Sequence, residues 1–336
     1  MATKVTLIRG DGIGPEVVDA AVRAIEATGA EIEWDPQDAG AGAVPIHGAP
    51  LPEATLASIR ANHLCLKGPL ATPVGGGYKS VNVSLRLEFD LYVNLRPARC
   101  FEGIKGRYDN VDLFVVRENT QGEYVGIEHY IDPSRNAAEA ISIITRFGSD
   151  RIIRFAFEFA RAQGRKKVTL VHKANILKMT SGLFLEVGRE IARAYPEIIF
   201  EDLIVDNCAM QLVRDPARFD IIVTTNLFGD ILSDLTAGLV GGLGLTAGAN
   251  IGESAAIYEA VHGTAPDIAG QGKANPTAVM LAGAMMLDRL GQRDRAQSLE
   301  RAVRATIAEG KYTTGDIGGT ASTTAFTDRV ISFLQK

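Results

Sequence analysis

Asp230 and Asp234 stand four residues apart in the stretch 219–245, FDIIVTTNLFGDILSDLTAGLVGGLGL. On a helix that spacing puts both carboxylates on one face, a turn apart, where like charges repel by roughly 0.2–0.5 kcal/mol. A divalent cation held by hard carboxylate oxygens would compensate them. A solvated pair, or acids near the positive end of the helix dipole, is the simpler reading of the spacing alone. The apolar and glycine residues around the pair favour a cleft.

Three arginines, Arg86, Arg96 and Arg117, fall near element ends, beside the small hydrogen-bonding side chains of Ser80 and Asn82. A guanidinium fork pairs with a carboxylate through two bonds, so such a group suits a compact polycarboxylate. Each arginine alone reads as an ordinary surface ion pair. Lys173 lies at a strand end in HKAN, where it serves an ion pair or proton transfer. The loop HGTAPDIAG at 262–270 is rich in backbone N–H groups. His262 there could stack or hydrogen-bond, and Asp267 could accept both hydroxyls of an adenosine ribose while repelling a 2'-phosphate.

The elements that must hold these residues follow from periodicity. Strands are expected at 4–9, 31–34, 64–67, 112–116, 168–171, 198–205 and 219–223, from short apolar runs. Helices are expected at 15–28, 52–62, 150–163, 277–290, 293–309 and 323–334, and the acids at 230 and 234 sit on one more. Asn275-Pro276 caps the entry to the helix at 277. GDGIG at 10–14 lacks the full dinucleotide fingerprint and reads as a tight strand-to-helix turn. Gly75-Gly76-Gly77 marks mobile or closely approached backbone. The polar stretch 118–136 with an exposed strand at 140–145 reads as an arm or a surface hairpin.

The chain has 336 residues, 46% hydrophobic and 22% charged, enough for one large or two medium soluble domains. A net charge of -5 gives no electrostatic case for nucleic acid, so an anionic substrate needs local arginines. Cys65, Cys100 and Cys208 show no ligand spacing and fit inert thiols in a reducing compartment. An early strand leaves no room for a signal segment and no run reaches membrane-spanning length, so a cytoplasmic protein is expected.

RGDGIGPE at 9–16, GPLATPVGGGYKSVNVSLR at 68–86, DLYVNLRP at 90–97, RENTQGEY at 117–124, HKANI at 172–176, NLFGDILSD at 226–234 and HGTAPDIAG at 262–270 together resemble the β-decarboxylating dehydrogenases. That family oxidises isocitrate, 3-isopropylmalate, homoisocitrate or tartrate. The resemblance covers essentially the whole chain. It implies an α/β fold of the isocitrate/isopropylmalate dehydrogenase type, with a mixed sheet flanked by helices. A discontinuous large domain (1–97 and 249–336) would bind the cofactor. A smaller central domain (98–248) would carry the dimer interface, the arm and the metal-binding acids.

The resemblance further implies a role for each residue. Asp230 and Asp234, with Asp206 of a second copy, would hold Mg2+ or Mn2+. Ser80, Asn82, Arg86, Arg96 and Arg117 would bind the substrate, Lys173 of the second copy would be the base, and Tyr124 the acid. Thr72, Asn175 and Glu259 would lie near the nicotinamide of NAD. His262, Gly263, Thr264, Ala265, Asp267 and Ile268, with Asn275, would take its adenosine. Ser80-Val81-Asn82 matches the isocitrate pattern, with homoisocitrate as runner-up, and Asp267-Ile268 the NAD pattern. The expected assembly is a homodimer with shared active sites, or a tetramer of such dimers. A regulatory subunit without catalysis is the reading of another class.

Overall fold

Strands buried on both faces read as unbroken apolar runs, because helices cover the two sides of the sheet. The runs at 64–66 and 221–223 are of this kind and are all buried. A computed structural model describes residues 2–72, 78–104 and 106–335, so the Gly75-Gly76-Gly77 run lies outside the described residues. The strands are β1 (Thr3–Ile8), β2 (Ile32–Gln37), β3 (Leu64–Lys67), β4 (Val93–Arg99), β5 (Asp112–Glu118), β6 (Glu128–Tyr130), β7 (Ala138–Ala140), β8 (Lys167–His172), β9 (Ile199–Ile204), β10 (Ile221–Thr224), β11 (Ala247–Ile251) and β12 (Ala256–Ala260). The helices are α1 (Gly14–Ala27), α2 (Val44–His47), α3 (Glu53–Asn62), α4 (Val81–Glu88), α5 (Arg146–Ala162), α6 (Thr180–Ala192), α7 (Val205–Arg214), α8 (Asn226–Leu239), α9 (Thr277–Arg289), α10 (Arg293–Glu309) and α11 (Thr323–Leu334).

The chain divides into two compact units. The first comprises Met1–Phe89, Cys100–Asp109 and Ala237–Lys336. Its strands run β2-β1-β3-β12-β11, the first four parallel and β11 antiparallel to β12. Helix α1 buries a stripe of Val17, Val18, Ala21, Ala24 and Ile25, as an amphipathic helix must. Gly283 of α9 meets that stripe, where an added Cβ would come 2.5 Å from Ile25 Cδ1.

The second unit comprises Asp90–Arg99 and Asn110–Thr236. Its strands run β4-β5-β10-β8-β9, with β4 antiparallel to β5 and the others parallel. Strands β6 and β7 form a separate, fully exposed antiparallel hairpin. Both units thus carry the mixed, helix-flanked sheet that the sequence implies.

Several elements differ from the sequence expectation. The exposed strand comes at 138–140 rather than 140–145, since a stretch wet on both faces has no buried side to fix its register. The interval read as a loop before α3 contains α2. Helices α4, α6 and α7 were not anticipated. In α4 the β-branched Val81 and Val83 suggest extended chain, but the Ser80 hydroxyl accepts the Val83 amide at 3.4 Å and caps the helix. In α6 Gly188 weakens the helical signal, yet its bare backbone seats Leu170, whose Cδ1 an added Cβ would strike.

Candidate active site

Within the second unit, α8 leaves the end of β10 and lies against Arg117, the next-to-last residue of β5. Arg117 is 1% exposed, so its charge needs partners inside the fold. Its Nε and Nη2 donate to Asn226 Oδ1 at 3.0 and 2.7 Å, and its Nη1 donates to Asp230 Oδ1. Gly229 makes this approach possible, because an added Cβ would stand 2.5 Å from Arg117 Cγ. Arg96 of β4 donates to Ser233 Oγ at 2.5 Å and to Asp234 Oδ1 at 3.1 Å, and lies 3.6 Å from Asp230. The Tyr124 hydroxyl donates to the other Asp230 oxygen at 2.6 Å, and the Arg117 guanidinium sits 5.0 Å over the Tyr124 ring.

Five of the residues singled out in the sequence therefore form one network. The carboxylate pair on α8 is compensated by two guanidinium groups. Burial, aided by the neighbouring Asp230 charge, still holds the Asp234 carboxyl above its usual value against the pull of Arg96 and Arg117. Both acids keep exposed surface, 40% for Asp230 and 56% for Asp234. They offer hard oxygen donors of the kind magnesium and manganese take. Among the described residues no cluster of three or more His, Cys, Asp or Glu side chains is placed to hold a metal ion.

Lys173 and Asp206 form a separate pair in the same unit, the Lys173 ammonium donating to Asp206. That hydrogen bond lowers the carboxyl pKa of the exposed Asp206, which stands in the first turn of α7. Asn175 is exposed in the turn just after Lys173.

In the first unit, Glu259 of β12 is buried among Lys67 at 2.6 Å, Asn250 at 2.7 Å and Arg86 at 3.9 Å. Burial pushes its carboxyl up, but the Lys67 and Arg86 charges and two hydrogen bonds outweigh this and leave it at about 2. Thr72 donates to Ser80 at 3.2 Å, and the Asn82 side-chain oxygen is shielded without a partner among the described residues. The loop at 262–270 is pinned by the Ile13 amide, which donates to the Thr264 carbonyl at 2.9 Å. Gly12, at φ +60°, serves this contact, since a Cβ there would collide with that carbonyl oxygen. GDGIG is therefore a tight turn that seats another loop.

A cavity of about 550 Å³ is lined in part by Ile13, His262, Ile268, Asn275 and Asp316. That volume suits one small ligand. His262 Nδ1 must donate to the Gly263 carbonyl at 2.9 Å, which leaves Nε2 as a shielded acceptor without a partner among the described residues. Burial lowers the His262 pKa and keeps the ring neutral. Asn275 accepts the Thr277 amide at 3.0 Å and donates to Asp316 at 3.0 Å. Asp267 is exposed and does not line the cavity.

Sequence reasoning missed Lys67, Asn226, Ser233, Asn250 and Asp316. Only Lys67 carried a signal, as a charged residue ending an otherwise apolar buried strand.

The model of the isocitrate/isopropylmalate dehydrogenase family matches residues 4–330. The catalytic subunit 5 of mitochondrial NAD isocitrate dehydrogenase from Arabidopsis thaliana is 49% identical over 98% of this chain and 88% of its own length. A regulatory subunit of the mitochondrial NAD enzyme from Dictyostelium discoideum is 51% identical over 98% of this chain and 91% of its own length. The crystal structure of isocitrate dehydrogenase from Methylococcus capsulatus superposes with a TM-score of 0.97, at 60% identity and full coverage of both chains. These relatives correct one expectation. The Arabidopsis and Dictyostelium proteins are both mitochondrial by name, which overturns the cytoplasmic reading. Unpaired cysteines and an apolar first strand belong to the folded domain and do not report its compartment.

Proposed function

Because this chain belongs to the isocitrate/isopropylmalate dehydrogenase family, we propose that it catalyses NAD-dependent oxidative decarboxylation of isocitrate to 2-oxoglutarate. The observation that carries this reading is the network in which Arg96 and Arg117 face Asp230 and Asp234 with the Tyr124 hydroxyl on the same carboxylate. It gathers anion-binding forks, hard metal donors and a proton donor in one place. Such a network is charge-balanced at rest. A substrate polycarboxylate and its cation would exchange partners with it, the carboxylates going to the arginines and the cation to the aspartates, without leaving a charge unpaired.

Ser80, Asn82, Arg86, Arg96 and Arg117 are assigned to the substrate. The clamp fixes the carbon that loses hydride. Lys173 acts as general base on the substrate hydroxyl, and Tyr124 returns a proton to carbon after carbon dioxide leaves. A divalent cation would be held by Asp230 and Asp234 and by Asp206 of a second copy and would supply Lewis acidity, and NAD would supply the hydride acceptor.

Thr72, Asn175 and Glu259 are assigned to the nicotinamide end of NAD. His262 through Ala265, Asp267, Ile268 and Asn275 are assigned to adenosine, where the neutral His262 offers an acceptor to an adenine amine. Lys173 and Asp206 contributed by a second chain make the smallest active unit a dimer, of identical copies or with a related chain. The Dictyostelium relative's name suggests a regulatory role, but Tyr124, Lys173, Asp206, Asp230 and Asp234 are all present here.

The test is NAD reduction by the purified protein with isocitrate and Mn2+, beside Tyr124→Phe. The reading requires turnover by the wild type and a kcat about 100-fold lower in the variant, with KM little changed. A silent wild type, or a variant with full kcat, would contradict it.

A further inference from the structure

His172 is the last residue of β8 and directly precedes Lys173. It is 5% exposed and both ring nitrogens are engaged. Nδ1 lies 3.0 Å from the Ala174 amide nitrogen, and Nε2 lies 3.2 Å from Asp202 Oδ1. A backbone N–H only donates, so Nδ1 is the acceptor and Nε2 carries the proton that Asp202 accepts. Asp202 stands on the adjacent β9, where Arg189 of α6 also holds it at 3.2 Å. The imidazole is thus braced by two elements on one side and grips the chain on the other.

What it grips is the turn that presents Lys173. The Lys173 carbonyl accepts the amides of Ile176 and Leu177 at 3.0 and 2.9 Å, closing the turn. The Ala174 amide, just inside that turn, points back to His172. Lys173 is therefore held by the strand before it and by a turn moored to His172 after it.

We propose that His172 is a positioning residue for Lys173, fixing through the Ala174 amide the direction in which the lysine side chain leaves the strand end. This inference rests on the function proposed above, in which Lys173 is the base.

Two substitutions separate the two ring contacts. In His172→Asn the amide oxygen takes the place of Nδ1 and still accepts the Ala174 N–H. In His172→Gln the longer side chain reaches Asp202 and leaves Ala174 unheld. Hydrogen exchange at the Ala174 amide and steady-state kinetics with isocitrate, NAD and Mn2+ are measured on both full-length variants. The expected result is near-wild-type exchange in His172→Asn, with kcat within about threefold of the parent. His172→Gln should exchange at least about tenfold faster and lose at least about tenfold in kcat, with KM for NAD unchanged.

Equal exchange at Ala174 in the two variants overturns the proposal, whether or not the protein turns over. Faster exchange in His172→Gln without a loss of kcat overturns it as well. A wild type silent on isocitrate would instead overturn the functional reading, and the exchange data would still report the hold on the turn.

Discussion

Glu259 keeps its charge in a buried place because Lys67, Arg86 and Asn250 surround it. Its folded value of about 2 lies below the ordinary 4.5. Its contribution to stability is therefore complete above pH 4.5 and is lost as pH falls through the interval down to about 2. That contribution amounts to about 3 kcal/mol. Urea unfolding at a series of pH values should show stability falling through this window, and Glu259→Gln should flatten the fall while lowering stability near neutrality. An unchanged pH slope in the variant would contradict the assignment. At this scale the sequence reveals residues whose chemistry is unusual for their surroundings, such as the acids of α8 and the clustered arginines. Their partners are ordinary by type, and Asn226, Ser233 and Asn250 become visible only when the fold brings distant stretches together.

Helix α4 carries Asn82 and Arg86, and Ser80 stands at its start in a double role. Its hydroxyl caps the helix, and in the proposed function it also meets the substrate. Ser80→Ala should cost about 0.5–1 kcal/mol of stability through the lost cap, read as a lowered Tm. Ser80→Asp keeps an acceptor at the cap but sets a negative charge against a substrate carboxylate, so stability should hold while KM for isocitrate rises at least about tenfold. An aspartate variant with wild-type KM would remove Ser80 from the substrate site. The strands with unbroken apolar runs and the long helices α9, α10 and α11 were legible from periodicity. Helices α4 and α7 were not, because each is short and buries only two side chains, Val81 and Leu85 in one and Cys208 and Leu212 in the other. Helix α6 was missed although Phe184, Val187 and Ile191 form a helical stripe. The tight turn at GDGIG was legible as a turn, but its use as a seat for the loop at 262–270 was not.

At the scale of the whole molecule, Lys173 pairs with Asp206, while Asp230 and Asp234 pair with Arg117 and Arg96. The proposed function joins the two sets across a dimer. Asp230→Asn and Lys173→Ala should each lower kcat at least about 100-fold alone. Dissociated and reassembled as a mixture, they should recover activity at least about tenfold above either parent, because one site of each mixed dimer keeps both residues intact. No recovery would place Lys173 and Asp230 in the same chain's site. The family was legible from motifs spread along the whole chain. The compartment was not, because nothing in the core or the site depends on it.

The central claim is an activity, and the most direct measurement compares isocitrate, homoisocitrate and 3-isopropylmalate as substrates with Mn2+, each with NAD and with NADP. The account predicts that kcat/KM for isocitrate with NAD exceeds every other combination at least about tenfold, a difference of about 1.4 kcal/mol in transition-state binding. Preference for homoisocitrate or 3-isopropylmalate would contradict the substrate assigned to Ser80 and Asn82, and preference for NADP would contradict the role assigned to Asp267 and Ile268.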